Sequence, residues 1–434
     1  MTAIHVVGDL DANFAWDGER LYQARDFAPA ATAPVELRGS AASVAFESPS
    51  AWRIVRDPLG INKLFWAATP EGLILASRPK RLIDGGCAFD AIRAIPRASV
   101  IDLSEGSPES QVHRINPVAT ETGQDSLAEL APTIRSVLDR YLVAVAEASQ
   151  GAHFFVCLSG GLDSSGIAVL ARDRLPGVTA VSFDLERSRG ESSEDRRIAR
   201  RLARDLDLPL MCVDSSSASL LEKLDVVLGE GIDWRDFNVH AGLVNAAIAE
   251  AIATSTSTDE RKIVLTGDLA NEFLADYSEE HYRGVTYYEL PRLRQGALRD
   301  ALVRGLDTSN REVGVFAAWR TDVVQPYAAA ADLYLSLPPD LLVSADAKQK
   351  VARAVFGDLL PDYVYGRAKV RAQVGSSQED HGVLGLCIDN GIDARYLRNR
   401  FAYIHRVTDA ALNRFIRGGT YRSEVPRLPQ VQNS

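Results

Sequence analysis

The chain has 434 residues, 46% of them hydrophobic, with a formal net charge of −10 and an isoelectric point near 5.3. That is enough apolar material for two buried cores, and an acidic balance of this size repels a polyanion unless a local basic patch offsets it, so nucleic acid is not expected as substrate or partner. Cys87, Cys157, Cys212 and Cys387 stand far apart with no C-x-x-C pair, which argues against a disulfide framework and a zinc site; no apolar run is long enough to span a bilayer and no leader pattern opens the chain, so a cytoplasmic location without a membrane partner is expected.

From residue 3 to about 118 the pattern is β-like, with apolar runs at 4–7, 44–46, 52–55, 64–67 and 73–76 separated by turn formers. Thr69-Pro70-Glu71-Gly72 predicts a hairpin, because proline sets φ for the turn and glycine relieves the return. Residues 117–125 are polar and poor in large apolar side chains, and the expected boundary falls there. The expected layout is a first domain over 1–120, a second over 126–425, and a tail over 426–434, with the polar end frayed from about Glu424.

Ser126-Leu127-Ala128-Glu129 reads as a capping box opening a helix to about Ser149, with Leu130, Ile134, Leu138, Leu142 and Val145 as its apolar stripe. Residues 153–158 then read as a buried strand ending at Cys157 and Leu158, and Ser159-Gly160-Gly161-Leu162-Asp163-Ser164-Ser165 turns into a helix over 166–175. Unpaired N–H groups and the positive end of a helix meet at such a junction. Gly160 and Gly161 let the backbone approach an oxyanion, the Ser159, Ser164 and Ser165 hydroxyls add donors, and Asp163 can hold a cation bridging phosphates. The stretch predicts a polyphosphate cradle, and the missing Walker lysine argues against a kinase or GTPase.

Strand 178–183, helix 193–206, strand 210–213, helices from Leu220 and His240, and strand 263–266 come next in alternation. This predicts an α/β fold with a doubly wound parallel sheet and ligands at the carboxyl ends of its strands, Phe183 and Leu185 among the residues there. A second cluster, Thr266-Gly267-Asp268-Leu269-Ala270-Asn271-Glu272, again sets glycine and acids just past a buried strand, where the acceptors also suit a helix cap. Residues 277–293, rich in tyrosine with His281 and Arg283, read first as a packed aromatic helix and second as the wall of an acceptor pocket. Residues 347–356 read as a helix leading to the basic loop Gly366-Arg367-Ala368-Lys369-Val370 and to Gly375-Ser376-Ser377, and 381–418 as further helix.

The run Ser-Gly-Gly-Leu-Asp-Ser-Ser at 159–165 resembles the pyrophosphate loop of the ATP pyrophosphatases, and its wording is most similar to the asparagine synthetase B and β-lactam synthetase family. The resemblance implies ATP and Mg2+ as cofactors, release of AMP and pyrophosphate as a small-molecule carboxylate is adenylated, and capture of the adenylate by an amine. It carries nucleotide binding to Ser159, Gly160, Gly161, Asp163, Ser164 and Ser165, with Cys157, Phe183, Leu185, Thr266 and Gly267 around them, and metal binding to Asp163 and Asn271. Asn271 stands where the family has an aspartate, and an amide oxygen is a weaker ligand for a hard cation. Asp268 aligns with a catalytic glutamate of asparagine synthetases that is a tyrosine in β-lactam synthetases. Asp268, Glu272 and Lys369 are the catalytic residues expected, and a pre-positioned ammonium such as Lys369 is typically worth ~3 kcal/mol of barrier.

For the second domain the family implies an adenine-nucleotide alpha-hydrolase-like fold, with Gln325-Pro326-Tyr327 similar to the segment that frames the substrate. For the first it implies an Ntn-hydrolase-like αββα fold, on the likeness of Arg56-Asp57-Pro58-Leu59-Gly60 to a segment of the glutaminase domain. Thr2 occupies the position of the nucleophilic cysteine of a working glutaminase, so glutamine hydrolysis is not expected, and β-lactam synthetases depart in the same way. The family also implies a homodimer. The resulting expectation is an amide-forming ligase of the β-lactam synthetase kind, such as a tailoring enzyme of antibiotic biosynthesis. The alternatives are an asparagine-synthetase-like enzyme using free ammonia and a non-catalytic nucleotide-binding homologue; an ATP pyrophosphatase acting on tRNA is opposed by the absent paired cysteines and the acidic charge.

Overall fold

The computed structural model describes residues 3–23, 37–48, 51–104, 110–114, 126–186, 192–257, 259–367, 370–375, 381–418 and 421–428. The hairpin expected at 69–72 is present: Phe65–Thr69 pairs antiparallel with Gly72–Ala76, Thr69 opposite Gly72, and Gly72 takes φ +147° to make the return. Ala3–Val6 joins Gly72–Ala76 in parallel and Arg93–Ala94 joins Phe65–Thr69, completing a four-stranded sheet. A second four-stranded sheet, ordered Gln111–Arg114, Ser99–Ser104, Ala51–Arg56, Ala42–Ser48, shares a core with it through Ile4, Trp52, Ile54, Trp66, Leu75 and Ile101. The helical layers of an αββα arrangement are not among the described residues of this half, where helix is limited to Pro79–Asp84 and the 3-10 turn Phe89–Ala91.

The expected boundary at 117–125 lies outside the described residues. The second half opens on the capping box: Ser126 N–H donates to Glu129 Oε2 at 2.7 Å and the helix Leu127–Ala148 begins there, its stripe of Leu130, Ile134, Leu138, Leu142 and Val145 buried as predicted. Tyr141 on this helix donates to the Phe14 carbonyl at 2.8 Å, and one apolar core runs from Phe14 and Phe65 through the second half to Phe401 and Tyr421.

A charged clasp also joins the halves. Arg56, 1% exposed, donates to the carbonyls of Asn62 at 3.0 Å and Ile95 and pairs with Asp307. Removing one partner of a buried pair strands the other, so Arg56→Ala is expected to cost ~3–5 kcal/mol, read as a lowered urea midpoint at unchanged slope.

The second half is built on a five-stranded parallel sheet ordered Leu210–Ser215, Thr179–Leu185, His153–Cys157, Lys262–Leu265, Thr321–Val324. The chain winds outward from His153–Cys157 in one direction and then resumes at Lys262–Leu265 on its other side. The strand order therefore reverses between these two strands, and a crevice opens at their carboxyl ends. Helices Leu162–Arg174, Glu194–Asp205 and Asp236–Ser255 connect the strands, the last starting four residues before the His240 expected from the sequence.

Two expectations are corrected here. Residues 280–287 form a hairpin, Glu280–Tyr282 with Val285–Tyr287, in place of the aromatic helix, because Arg283 at φ +49° and Gly284 at φ +78° turn the chain back. Residues 421–428 do not fray, since Arg93–Ala94 offers an open sheet edge: Ala94 N–H donates to Arg422 O and Glu424 N–H to Ala94 O, both at 3.0 Å, and Trp66 Nε1 donates to Glu424 O at 2.9 Å. No helix of the described residues is long and apolar enough to cross a membrane.

Candidate functional site

At the switch point, the turn after His153–Cys157 closes on itself. Gly160 takes φ +74°, Ser164 Oγ donates to Gly161 O at 3.2 Å and lies 3.1 Å from Ser159 Oγ, and Gly161 caps the helix Leu162–Arg174. A side-chain carbon at Gly161 meets only Ser159 Oγ, at 3.4 Å, so this glycine leaves the mouth of the turn open. Gly267, from the second motif, packs its α-carbon against the backbone of this turn: a Cβ there lies 2.6 Å from Ser164 N. The two glycine-and-acid motifs are therefore one assembly.

They line a cavity of about 430 Å³. Of the residues expected at the nucleotide, Cys157, Ser159, Gly161, Asp163, Ser164, Phe183, Thr266 and Gly267 border it, together with Asp268 and Asn271. Gly160, Ser165 and Leu185 do not. Gly160 faces Ile198, where a Cβ at 2.7 Å marks close packing; Ser165 is fully buried beneath the turn, and Leu185 ends its strand in the core. The Cys157 thiol is pushed up by burial and by the neighbouring Asp268 charge, so it stays neutral. Lys369, Ser376, Ser377 and Thr2 lie outside the described residues.

A second cavity of about 500 Å³ adjoins the first, and Phe237, Asp268, Tyr277, Arg311, Glu312 and Arg371 border both. Tyr287 and Tyr288 at the end of the 280–287 hairpin also line it, together with Ile61 and Lys63 from the first half. Burial and the Glu312 charge push the Asp268 carboxyl up to about 7, with Arg311 opposing. Glu272 also borders this second cavity, where it accepts from Tyr277 Oη at 2.6 Å and lies 3.7 Å from Arg311, so it orients these two groups.

Four basic residues to which the sequence alone assigns no role complete the site. Arg311 donates to Asn238 Oδ1 at 2.8 Å and stacks 4.5 Å from the Phe237 ring, and Arg371 lies 5.1 Å from the same ring and 4.9 Å from that of Tyr277. Arg367 donates to Ser159 O at 3.0 Å and pairs with Asp195, whose carboxyl burial pushes up to about 6 against that pull. Lys348 places Nζ 2.5 Å from Asp163 Oδ2, 2.6 Å from Asn271 Oδ1 and 3.2 Å from Asp276 Oδ2; burial works against its charge, but Asp163 and Asp276 outweigh it and hold its pKa above the usual lysine value.

Asp163 and Asn271, the two metal ligands implied by the family, are therefore brought together, but around an ammonium. Among the described residues no group of three or more His, Cys, Asp or Glu side chains is arranged to hold a metal ion. The arrangement does not fit a resident Mg2+, which needs near-octahedral oxygens at about 2.0–2.1 Å.

Residues 137–329 match the family model described as asparagine synthase. The chain is 25% identical over 366 residues to the carboxyethyl-arginine β-lactam synthase of Streptomyces clavuligerus, covering 82% of this chain and 64% of that one, just under two thirds of the relative's length. Both findings are similarities to the asparagine synthetase and β-lactam synthetase family, the one that the loop motif resembles. Among solved structures, an NMN synthetase from Francisella tularensis aligns at TM-score 0.32 and 14% identity, over 68% of this chain and 97% of that one. An NH3-dependent NAD synthetase from Campylobacter jejuni aligns at TM-score 0.31 and 12% identity, over 69% and 98%. Likeness this low carries no argument about the site.

Proposed function

We propose that the chain is an ATP-dependent amide-forming ligase that releases AMP and pyrophosphate. The observation that carries this reading is that Asp268 stands on the wall between two adjoining cavities, one bordered by the serine-glycine turn and one by aromatic, apolar and charged side chains. ATP binds with its β- and γ-phosphates at Ser159, Gly161, Ser164 and the start of the helix Leu162–Arg174, where backbone N–H groups and the helix end favour an anion. Arg367, tied to Ser159 O, keeps that turn in place.

The substrate carboxylate lies in the second cavity and attacks the α-phosphorus. The new carboxylate oxygen–phosphorus bond replaces the bond to the β-phosphate, and pyrophosphate leaves. An amine nitrogen then attacks the acyl carbon, AMP departs with the bonding pair, and the amine's proton passes to Asp268. A carboxyl with a pKa near 7 suits that task, because it is ionised enough to accept a proton at neutral pH and basic enough to keep it. Lys369 belongs to this proposal as the ammonium that the family resemblance assigns to charge stabilisation, and the nitrogen comes from the substrate or from free ammonia, not from glutamine.

The first half serves as a scaffold, Arg56 and Lys63 gripping Asp307 and the Leu306 carbonyl and so setting the segment that carries Arg311 and Glu312. Exchange of labelled pyrophosphate into ATP, run over a panel of amino-acid-like carboxylates, tests the reading: exchange that depends on one acid supports it. ATP binding with no exchange for any acid favours instead a nucleotide-binding homologue, the reading that Asn271 at a family metal position suggests.

A further inference from the structure

Three oxygens on separate parts of the chain converge on a single nitrogen. Lys348 stands in the first turn of the helix Ala347–Phe356; its acceptors are Asp163 on the turn-borne helix Leu162–Arg174, Asn271 on Ala270–Leu274, and Asp276 just beyond it. The side chain is 11% exposed. Its helix is seated firmly, with Val351, Val355 and Phe356 buried, and the Phe356 ring lies against Gly166, where a Cβ would fall 2.5 Å from it. The ammonium is thus delivered from a packed helix and is not a surface chain that happens to fold inward.

The chemistry of the acceptors matches an ammonium. Its three N–H donors meet three oxygens, two of them charged, and the Asn271 carbonyl is a good acceptor for N–H although a poor ligand for a hard dication. A divalent ion held between Asp163 and Asn271 needs the same point in space. We infer that Lys348 is the built-in cation of this cluster: the protein's own ammonium occupies the place between Asp163 and Asn271, and these residues hold no divalent ion while nucleotide is absent. The inference rests on the proposed function only in taking the adjoining turn to be where phosphates come.

The test uses the full chain, stripped of metal and titrated with Mn2+ alone, with free Mn2+ monitored by electron paramagnetic resonance. Wild type is expected to take up no stoichiometric Mn2+, whereas Lys348→Gln combined with Asn271→Asp binds one Mn2+ at least tenfold more tightly, and adding Asp163→Asn to that pair abolishes it. Circular dichroism melts confirm that the variants are folded. If wild type itself binds one Mn2+ that Asp163→Asn removes, or if the folded double variant gains none, the inference is overturned. The wild-type titration decides even if the variants fail to fold, and since nucleotide turnover plays no part, a negative pyrophosphate exchange leaves this result independent.

Discussion

Asp268→Asn is expected to lower turnover by roughly 10²–10⁴-fold, the usual contribution of a positioned general base, while ATP affinity stays within about threefold. The amide keeps the volume and some hydrogen bonding but cannot take the amine's proton. In the wild type the rate should rise with pH through about 7, where the Asp268 carboxyl ionises, and the variant should lose that limb. Stability moves the other way. Because the folded-state pKa of Asp268 lies above the ordinary carboxylate value of 3.8, the folded chain keeps a proton that the unfolded chain has already released, and stability falls as pH rises from about 4 to about 7. Asp268→Asn is free of that loss, so it should melt higher than wild type at pH 8 and no higher at pH 4. A variant that is less active yet more stable in alkali marks a charge kept for chemistry and not for folding.

Gly267→Ala is expected to damage fold and nucleotide binding together. Its methyl group meets Ser164 N at 2.6 Å, Asp163 C at 2.8 Å and Ser164 Cα at 2.9 Å, all backbone, so the turn itself has to shift. Forcing one carbon into such a contact typically costs ~1–3 kcal/mol, and a displaced turn should weaken ATP at least tenfold, ~1.4 kcal/mol by the logarithmic scale. Gly161→Ala is the informative contrast. There the added methyl meets only Ser159 Oγ at 3.4 Å, so the melting temperature should hold while ATP affinity falls, the methyl occupying space that a phosphate needs. Isothermal titration beside thermal melts separates the two cases.

The contrast between those glycines shows what sequence reasoning can reach. The turn at 159–165 and the cluster at 266–272 are legible because buried strands, glycines and acids stand next to one another in the chain. Their contact is not, since Gly267 touches Ser164 only after the sheet sets His153–Cys157 beside Lys262–Leu265. Arg311 and Lys348 stand in polar stretches, the commonest pattern of a solvated surface, whereas Arg367 and Arg371 flank Lys369 in the basic loop at 366–371 that the sequence does single out; which of these cations border the site is settled by the fold. Thr321–Val324 is too short to stand out as a strand, and it pairs because Lys262–Leu265 offers an open edge. The 280–287 hairpin is hidden because its tyrosines satisfy helical and extended spacing about equally, and the choice falls to two positive-φ residues at its tip. The tail at 421–428 is polar in sequence and ordered in structure because the edge of Arg93–Ala94 supplies the backbone partners that the tail lacks by itself.

Identifying the nucleotide product tests the central claim most directly. With ATP labelled at the α-phosphate and an acid that supports pyrophosphate exchange, turnover should give labelled AMP and one pyrophosphate per amide formed; labelled ADP with inorganic phosphate would contradict the account.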